Sequence, residues 1–121
     1  MYKIKQFFER FRHLIRWVPI IWRDRDWDYY FIYEILKHKL INTEKYIRKK
    51  GIHMYNNQDA DSILKAIEMI EKVQSEYYLD KYMSAVPKWT KAGINKSMKD
   101  HNKAKKELFN YLNNNIEKWW D

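Results

Sequence analysis

The chain has 121 residues, which suits one domain with one core, and 45% of them are hydrophobic beside 33% that are charged. This balance is typical of a globular domain rather than a disordered or membrane-spanning chain. Because the sequence contains no Cys, disulfides, thiolate catalysis and Cys-ligated zinc are excluded as well. The net charge of +8 predicts a polyanion or an anionic surface as a partner.

The charge is distributed unevenly along the chain. Residues 1–25 hold seven Lys or Arg against two Asp or Glu, whereas residues 59–83 hold three against six. An anionic partner should therefore meet the two ends of the chain and the C-terminal end of the second helix, and not the acidic third helix. No apolar run of about 18 residues or more is present, and charges interrupt the apolar N-terminal stretch, so we expect no transmembrane segment and a cytoplasmic location.

The first periodic segment predicts an amphipathic helix within residues 1–17. Its apolar residues fall within an arc of about 120° at helical spacing: Ile4, Phe7, Phe8, Phe11, Leu14, Ile15 and Val18. Lys and Arg lie at both margins of this arc. A packed helix whose basic stems cover its edges is the favoured interpretation, and a helix lying on an anionic membrane is the alternative. Pro19 is expected to end the helix.

A second helix is predicted for residues 24–50, with Asp24, Asp26 or Asp28 as its N-cap and Gly51 as its stop. Its N-terminal half is apolar on two sides, which is typical of a buried helix. We therefore expect this helix to lie at the centre of the fold.

Two further helices complete the prediction, one over residues 59–83 and one over residues 97–120. Asp59 or Asp61 should cap the third helix after a polar loop. The fourth helix begins with Ser97 and Asp100 in the pattern of a capping box, after a basic loop over residues 84–96. The fourth helix is predicted to bury Met98, His101, Ala104, Leu108, Phe109, Leu112, Ile116 and Trp119. The chain should form a single all-α domain, a small bundle of about four helices, with Trp119 and Trp120 near the Trp22–Trp27 segment.

The segment from Trp22 to Asp28 is the densest in groups that need specific partners. Arg23 and Arg25 could hold a phosphate while the indole of Trp27 stacks on a base. The competing interpretation, which we favour, is a cluster of caps and ion pairs that fixes the start of the second helix. A divalent metal is disfavoured because alternate aspartates at a helix start point to different sides. The candidate ligand-binding residues are Arg23, Arg25, Trp27, His38, Lys45 and Arg48.

Other polar groups fall within apolar surroundings. Glu34 and His38, four residues apart, are interpreted as a hydrogen-bonded pair at the edge of the core rather than as a metal or acid–base pair. His101 and Lys105 lie in the apolar stripe of the fourth helix, where Lys105 needs an acidic partner such as Glu68 or Glu71, or a ligand. No phosphate-binding loop, zinc-protease motif or nucleophile elbow is present, so we predict a non-enzymatic protein without a cofactor.

The string Trp-x-Asp-Arg-Asp-Trp-Asp at residues 22–28 and the final Trp-Trp-Asp resemble a group of small tailed-phage proteins. The resemblance covers roughly residues 14–121 and implies a viral source and a location in the host cytoplasm. It implies no activity and no catalytic residues.

Four classes of function fit these observations. The first is an accessory protein that binds an anionic ligand, in its most specific form a nucleotide signal of host defence that it sequesters. The second is a protein–protein inhibitor of a host factor, and the third is a DNA- or RNA-binding protein. The last is a membrane-surface role for residues 1–17. The high aromatic content, with ten Tyr and six Trp, also predicts a homo-oligomer.

Overall fold

Helices account for nearly all of the chain that is described. The structure is a computed structural model that describes residues 2–50, 56–85 and 90–120. Its elements are α1 (Tyr2–Arg23), α2 (Tyr29–Lys50), α3 (Asn56–Gln74), α4 (Tyr77–Ala85), α5 (Lys91–Asn115) and a C-terminal 3₁₀ turn (Lys118–Trp120). No strand occurs in the described ranges, so the predicted all-α class is confirmed. The described chain forms five α-helices where about four were predicted.

The additional helix arises because the predicted third helix is interrupted. A turn at Ser75 and Glu76 separates α3 from α4, with the N–H of Ser75 donating to the Glu71 carbonyl at 3.0 Å. This segment contains neither Gly nor Pro, so its composition gave no sign of a break. Since α3 begins at Asn56, Asp59 and Asp61 lie inside the helix and the expectation that one of them caps it is wrong.

The core is built along α3. The buried apolar side chains of this helix recur at helical spacing: Ala60, Ile63, Ala66, Ile67, Ile70 and Val73. α3 packs against α2, α5, α4 and the 3₁₀ turn, whereas α2 packs against α3 and, less extensively, α1. The prediction that the second helix is central is therefore wrong, because α3 packs against more elements than α2 does. Tyr29 and Ile32, near the start of α2, are exposed.

The first helix continues past the proline that was expected to end it. Pro19 lies inside α1, which extends to Arg23. A proline within a helix leaves the carbonyl four residues earlier without its donor. Pro19 and Ile15 are both exposed, so water can solvate the free carbonyl and the helix tolerates the interruption.

The last helix begins earlier than predicted. Thr90 is its N-cap and accepts a hydrogen bond from the N–H of Gly93 at 3.0 Å, so Ser97 and Asp100 form no capping box. Ser97 is instead buried within α5, where its hydroxyl donates to the Ile94 carbonyl at 2.7 Å. The predicted basic loop over residues 84–96 is helical at residues 84–85 and 91–96, and residues 86–89 lie outside the described chain.

Burial in the C-terminal segment follows only part of the predicted stripe. Leu108, Leu112 and Trp119 are buried, His101 and Ala104 are half-buried, and Met98, Phe109 and Ile116 are exposed. The 3₁₀ turn that carries Trp119 packs on α3. Trp22 is 87% exposed and Trp27 82%, so the predicted packing of Trp119 on the Trp22–Trp27 segment is wrong, and the side chain of Trp120 lies outside what the structure describes.

Candidate anion-binding clefts beside the second helix

The connection from α1 to α2 is fixed by a single capping aspartate. The N–H of Tyr30 donates to Asp28 Oδ1 at 3.0 Å, which identifies Asp28 as the N-cap among the three aspartates proposed. The carbonyl of Asp28 accepts from the N–H of Phe31 at 3.1 Å and starts the helix. In the segment before it, the N–H of Asp28 donates to the Arg25 carbonyl at 3.2 Å. The structure therefore confirms the capping role for Asp28 and assigns no such bond to Asp24 or Asp26.

The corner cleft lies where α1 turns into α2 and encloses about 610 Å³. It is lined by Ile20, Trp22, Arg23, Asp24, Arg25, Tyr30, Phe31, Glu34 and Lys37. Lys37 pairs with Glu34 at 3.5 Å, and Glu34 also accepts from Gln74 Nε2 at 2.7 Å. Arg23 and Arg25 make no salt bridge with any described carboxylate. The cleft thus offers two unpaired guanidiniums, but two carboxylates also line it.

Tyr30, in the corner cleft, lies near both acidic and basic side chains. Burial raises the pKa of the Tyr30 phenol, and Glu34 raises it further, whereas the positive charge of Arg23 lowers it. The opposing contributions show that this cleft has no single dominant sign of charge. An anion entering it meets Glu34 and Asp24 as well as the arginines.

The lateral cleft lies between α1 and the middle of α2 and encloses about 450 Å³. Its described lining is His13 and Arg16 from α1 and Lys39, Asn42, Thr43 and Tyr46 from α2. Every one of these six side chains can donate a hydrogen bond, and none is a carboxylate. This cleft therefore has the chemistry that an anion requires without the acidic groups found in the corner cleft.

Two of the donors in the lateral cleft, Thr43 and Asn42, differ in their hydrogen bonds. The hydroxyl of Thr43 donates to the Lys39 carbonyl at 2.8 Å, so its proton is already used. The amide nitrogen of Asn42 is buried and has no hydrogen-bond partner among the described residues. A buried donor without a partner is destabilising.

An aromatic contact next to the lateral cleft holds α1 against α2. The rings of Trp17 and His38 meet edge to face with centroids 4.4 Å apart. Burial lowers the pKa of His38, while Glu34 and a hydrogen bond to the backbone of Arg16 act in the opposite direction. The lowered pKa of His38 favours its neutral ring. The expected Glu34–His38 hydrogen bond is replaced by the bonds of Glu34 to Lys37 and Gln74.

The predicted ligand-binding residues do not form one site. Arg23 and Arg25 line the corner cleft together, but Trp27 is 82% exposed and lies outside its lining. Arg48 donates to Glu44 at 2.6 Å and to Asp61 at 2.9 Å, and these bonds raise the pKa of its guanidinium. His38 packs on Trp17, and Lys45 is exposed beyond both clefts. Arg48 thus joins α2 to α3 through its Nε and Nη2 atoms.

No protein-family model, curated protein or solved structure matches this chain. We therefore infer the function from the geometry of the clefts.

The residues of the lateral cleft were missed in the sequence, although a pattern was present. Lys39, Asn42, Thr43 and Tyr46 follow the spacing i, i+3, i+4 and i+7, which places them on one face of α2. His13 and Arg16 likewise lie one turn apart on α1, away from its apolar arc.

The remaining polar candidates of the sequence lie elsewhere. His101 lines a third cleft of about 360 Å³ between the α3–α4 connection and α5. Lys105 is exposed, so it needs no buried acidic partner and the proposed pairing with Glu68 or Glu71 loses its reason. Within the described ranges, no three His, Asp or Glu side chains are grouped closely enough to hold a metal ion. Among the described helices, none has the length and apolarity of a membrane-spanning segment.

Proposed function

We propose that this protein binds a small phosphate-bearing anion in the lateral cleft. The proposal is carried by one observation: none of the six described side chains that line the cleft is acidic, and two of them, Arg16 and Lys39, are cationic. Arg16 supplies a fork of donors and Lys39 a point charge, which are the two groups that proteins use for phosphate. The corner cleft is the weaker candidate because Asp24 and Glu34 line it beside the arginines.

The dimensions favour a nucleotide over a bare phosphate. A volume of about 450 Å³ falls in the range of small-molecule sites. Tyr46 lies seven residues from Lys39 on the same face of α2 and supplies an aromatic surface on which a base can stack. Together with the likeness to tailed-phage proteins, these features support sequestration of a nucleotide signal of host defence as the specific form of the proposal.

A nucleotide panel tests this proposal. The wild-type protein is melted with inorganic phosphate and with mono-, di- and cyclic nucleotides, and a true ligand raises the melting temperature with concentration. Arg16→Gln and Lys39→Gln should each weaken binding about tenfold or more, since each removes a charge-assisted hydrogen bond to phosphate. Arg12→Gln and Lys49→Gln are the matched controls, because these exposed cations lie on the same two helices outside the cleft.

Other outcomes point to the competing functions. Loss of the ligand in Arg23→Gln and Arg25→Gln, with Arg16→Gln unaffected, would move the site to the corner cleft. Binding only to DNA or RNA, abolished by raised salt, would identify a nucleic-acid-binding protein. If no nucleotide stabilises the protein and a host protein is captured instead, the proposal is wrong and the inhibitor function replaces it.

A further inference from the structure

The apolar arc of α1 is exposed in the described structure. The exposed large hydrophobic residues of this helix are Tyr2, Ile4, Phe7, Phe8, Phe11, Leu14, Ile15, Val18, Ile21 and Trp22. Phe7 is 64% exposed and Phe8 54%, and α1 contains no buried residue at all among those described. An isolated exposed Leu or Phe is ordinary, whereas a continuous row of them along one helix indicates an interaction surface. The predicted burial of this arc against the rest of the chain is therefore wrong.

The helix is docked with its apolar arc facing away from the bundle. The half-buried residues of α1 are Gln6, Trp17 and Ile20. At 100° per residue they lie opposite Ile4, Phe11 and Ile15, and Trp17 makes the contact with His38 of α2. α1 therefore rests on α2 by its more polar side, and the bundle leaves the arc open to an external partner.

The neighbouring rings already form an ordered apolar ridge. Phe7 and Phe8 meet edge to face at 5.9 Å, and Phe7 stacks on Phe11 at 6.4 Å. Since α1 has 22 residues, the ridge extends along a helix of about 33 Å. A partner for it has to be long, apolar and flat or grooved on that scale.

The basic side chains of α1 indicate which kind of partner fits its apolar arc. α1 carries six Lys or Arg (Lys3, Lys5, Arg10, Arg12, Arg16 and Arg23) against one carboxylate, Glu9. All six are exposed, and they lie at both margins of the apolar arc, with Lys5 and Arg12 on one side and Arg10 on the other. An apolar face bordered by cations on both sides is complementary to acyl chains beneath anionic headgroups.

A second copy of the chain is the less suitable partner. If two α1 helices met face to face, basic margins would oppose basic margins in either direction of pairing. Glu9 is the single carboxylate that α1 provides to relieve this repulsion. We propose that α1 lies along an anionic membrane surface with its Phe-rich arc in the interface and its basic margins on lipid phosphates and carboxylates, while α2 holds the bundle on the opposite side.

Vesicle sedimentation tests the proposal without any nucleotide, so its failure is independent of the lateral cleft. The full chain is mixed with vesicles of phosphatidylcholine alone or of equal parts phosphatidylcholine and phosphatidylserine. We expect clear binding to the anionic vesicles and weak binding to the neutral ones. Raised salt should reduce the anionic binding, because the headgroup attraction is screened.

Two sets of variants separate the apolar from the charged contribution. Phe11→Ala and Ile15→Ala should each weaken vesicle binding about tenfold, because each removes an apolar side chain from the interface. Lys5→Gln and Arg12→Gln should each weaken binding to anionic vesicles about fivefold and leave binding to neutral vesicles unchanged. Ile32→Ala and Leu64→Ala are matched controls, since they remove exposed apolar side chains from α2 and α3 and should not alter binding.

The substituted side chains are exposed, so the variants should fold like the wild type. Circular dichroism should show the same helix content for each variant as for the wild type. Three results overturn the proposal. The first is that the wild type binds neither type of vesicle. The second is that Phe11→Ala binds anionic vesicles as well as Ile32→Ala does. The third concerns pairing of two chains. Light scattering shows a dimer that Phe11→Ala and Ile15→Ala dissociate, in which case the arc pairs two copies of the chain.

Discussion

The indole N–H of Trp119 donates to the hydroxyl of Ser62 at 2.9 Å and fastens the C-terminal 3₁₀ turn to the first half of α3. Tyr111 of α5 reaches the same serine, with its hydroxyl 2.8 Å from Ser62 Oγ and donating to the Ser62 carbonyl at 3.0 Å. Trp119 is 4% exposed, so the bond is protected from water. Ser62 thus joins α3, α5 and the chain end at one point.

Replacing Trp119 should therefore be among the most destabilising changes in the chain. Trp119→Ala leaves a cavity and is expected to lower the free energy of unfolding by about 3–5 kcal/mol, measured by urea denaturation. Trp119→Phe keeps most of the apolar volume and loses the hydrogen bond, so about 1–2 kcal/mol is expected. Trp22→Ala is the control, because this 87% exposed indole should change stability by no more than about 0.5 kcal/mol. Equal losses for Trp22 and Trp119 would contradict the assigned burial.

The cap of α2 gives a second test. Asp28→Ala removes the acceptor of the Tyr30 N–H and should cost about 0.5–2 kcal/mol of stability. Asp26→Ala, two residues earlier and exposed, should be close to neutral. Thermal or urea unfolding of both variants measures the difference. A larger effect at Asp26 would show that a different aspartate caps the helix.

His38 predicts how stability depends on pH. Its pKa is lowered by burial in the folded chain, so the unfolded chain binds the proton more readily. Stability from the neutral ring is fully present above pH 6.5, the ordinary value for His, and is lost as the pH falls through the window below it. The urea midpoint should therefore drop between neutral and mildly acidic pH, and the drop should be smaller in His38→Gln.

His101→Gln provides the comparison for this pH dependence. His101 lines the third cleft, away from Trp17 and α1, and its removal should leave the drop as large as in the wild type. An unchanged drop in His38→Gln would show that other groups cause it. Glu34, His13 and Lys45 are the charged or titratable neighbours whose substitution would be examined next.

The homo-oligomer suggested by the aromatic content remains a prediction. Light scattering at micromolar concentration should return a mass above the 15.2 kDa of one chain. Because the arc of α1 is assigned to a lipid surface, the oligomer should persist in Phe11→Ala. A species of one chain mass under these conditions would refute it.

The sequence predicted the helical class well, since periodicity at helical spacing depends on the chain alone. It also placed Asp28 among the possible caps and α3 under a single apolar stripe. It did not predict the turn at Ser75, because the segment contains neither Gly nor Pro and the apolar stripe continues through it. Thr90 was overlooked as a cap because Ser97 and Asp100 matched the more familiar pattern.

The clefts were harder to predict than the helices. Periodicity shows which side of a helix is apolar and does not show what that side faces, so the arc of α1 was interpreted as core. The lateral cleft depends on the relative position of α1 and α2, which follows from the Trp17–His38 contact. Arg48 was a plausible ligand-binding residue in the sequence until its two carboxylate partners, Glu44 and Asp61, were visible in three dimensions.

α1 packs against α2 and has no buried side chain among the described residues, so substitutions in α1 and in the core are expected to have different consequences. Changes in Ile63, Ile70 or Leu108 are filtered by folding, because these side chains are wholly enclosed. Changes along the arc of α1 leave the core intact, so mutants of this helix should accumulate as folded protein to the same level as the wild type. Variation along the apolar arc of α1 can therefore tune affinity for an external surface while the folded population stays constant.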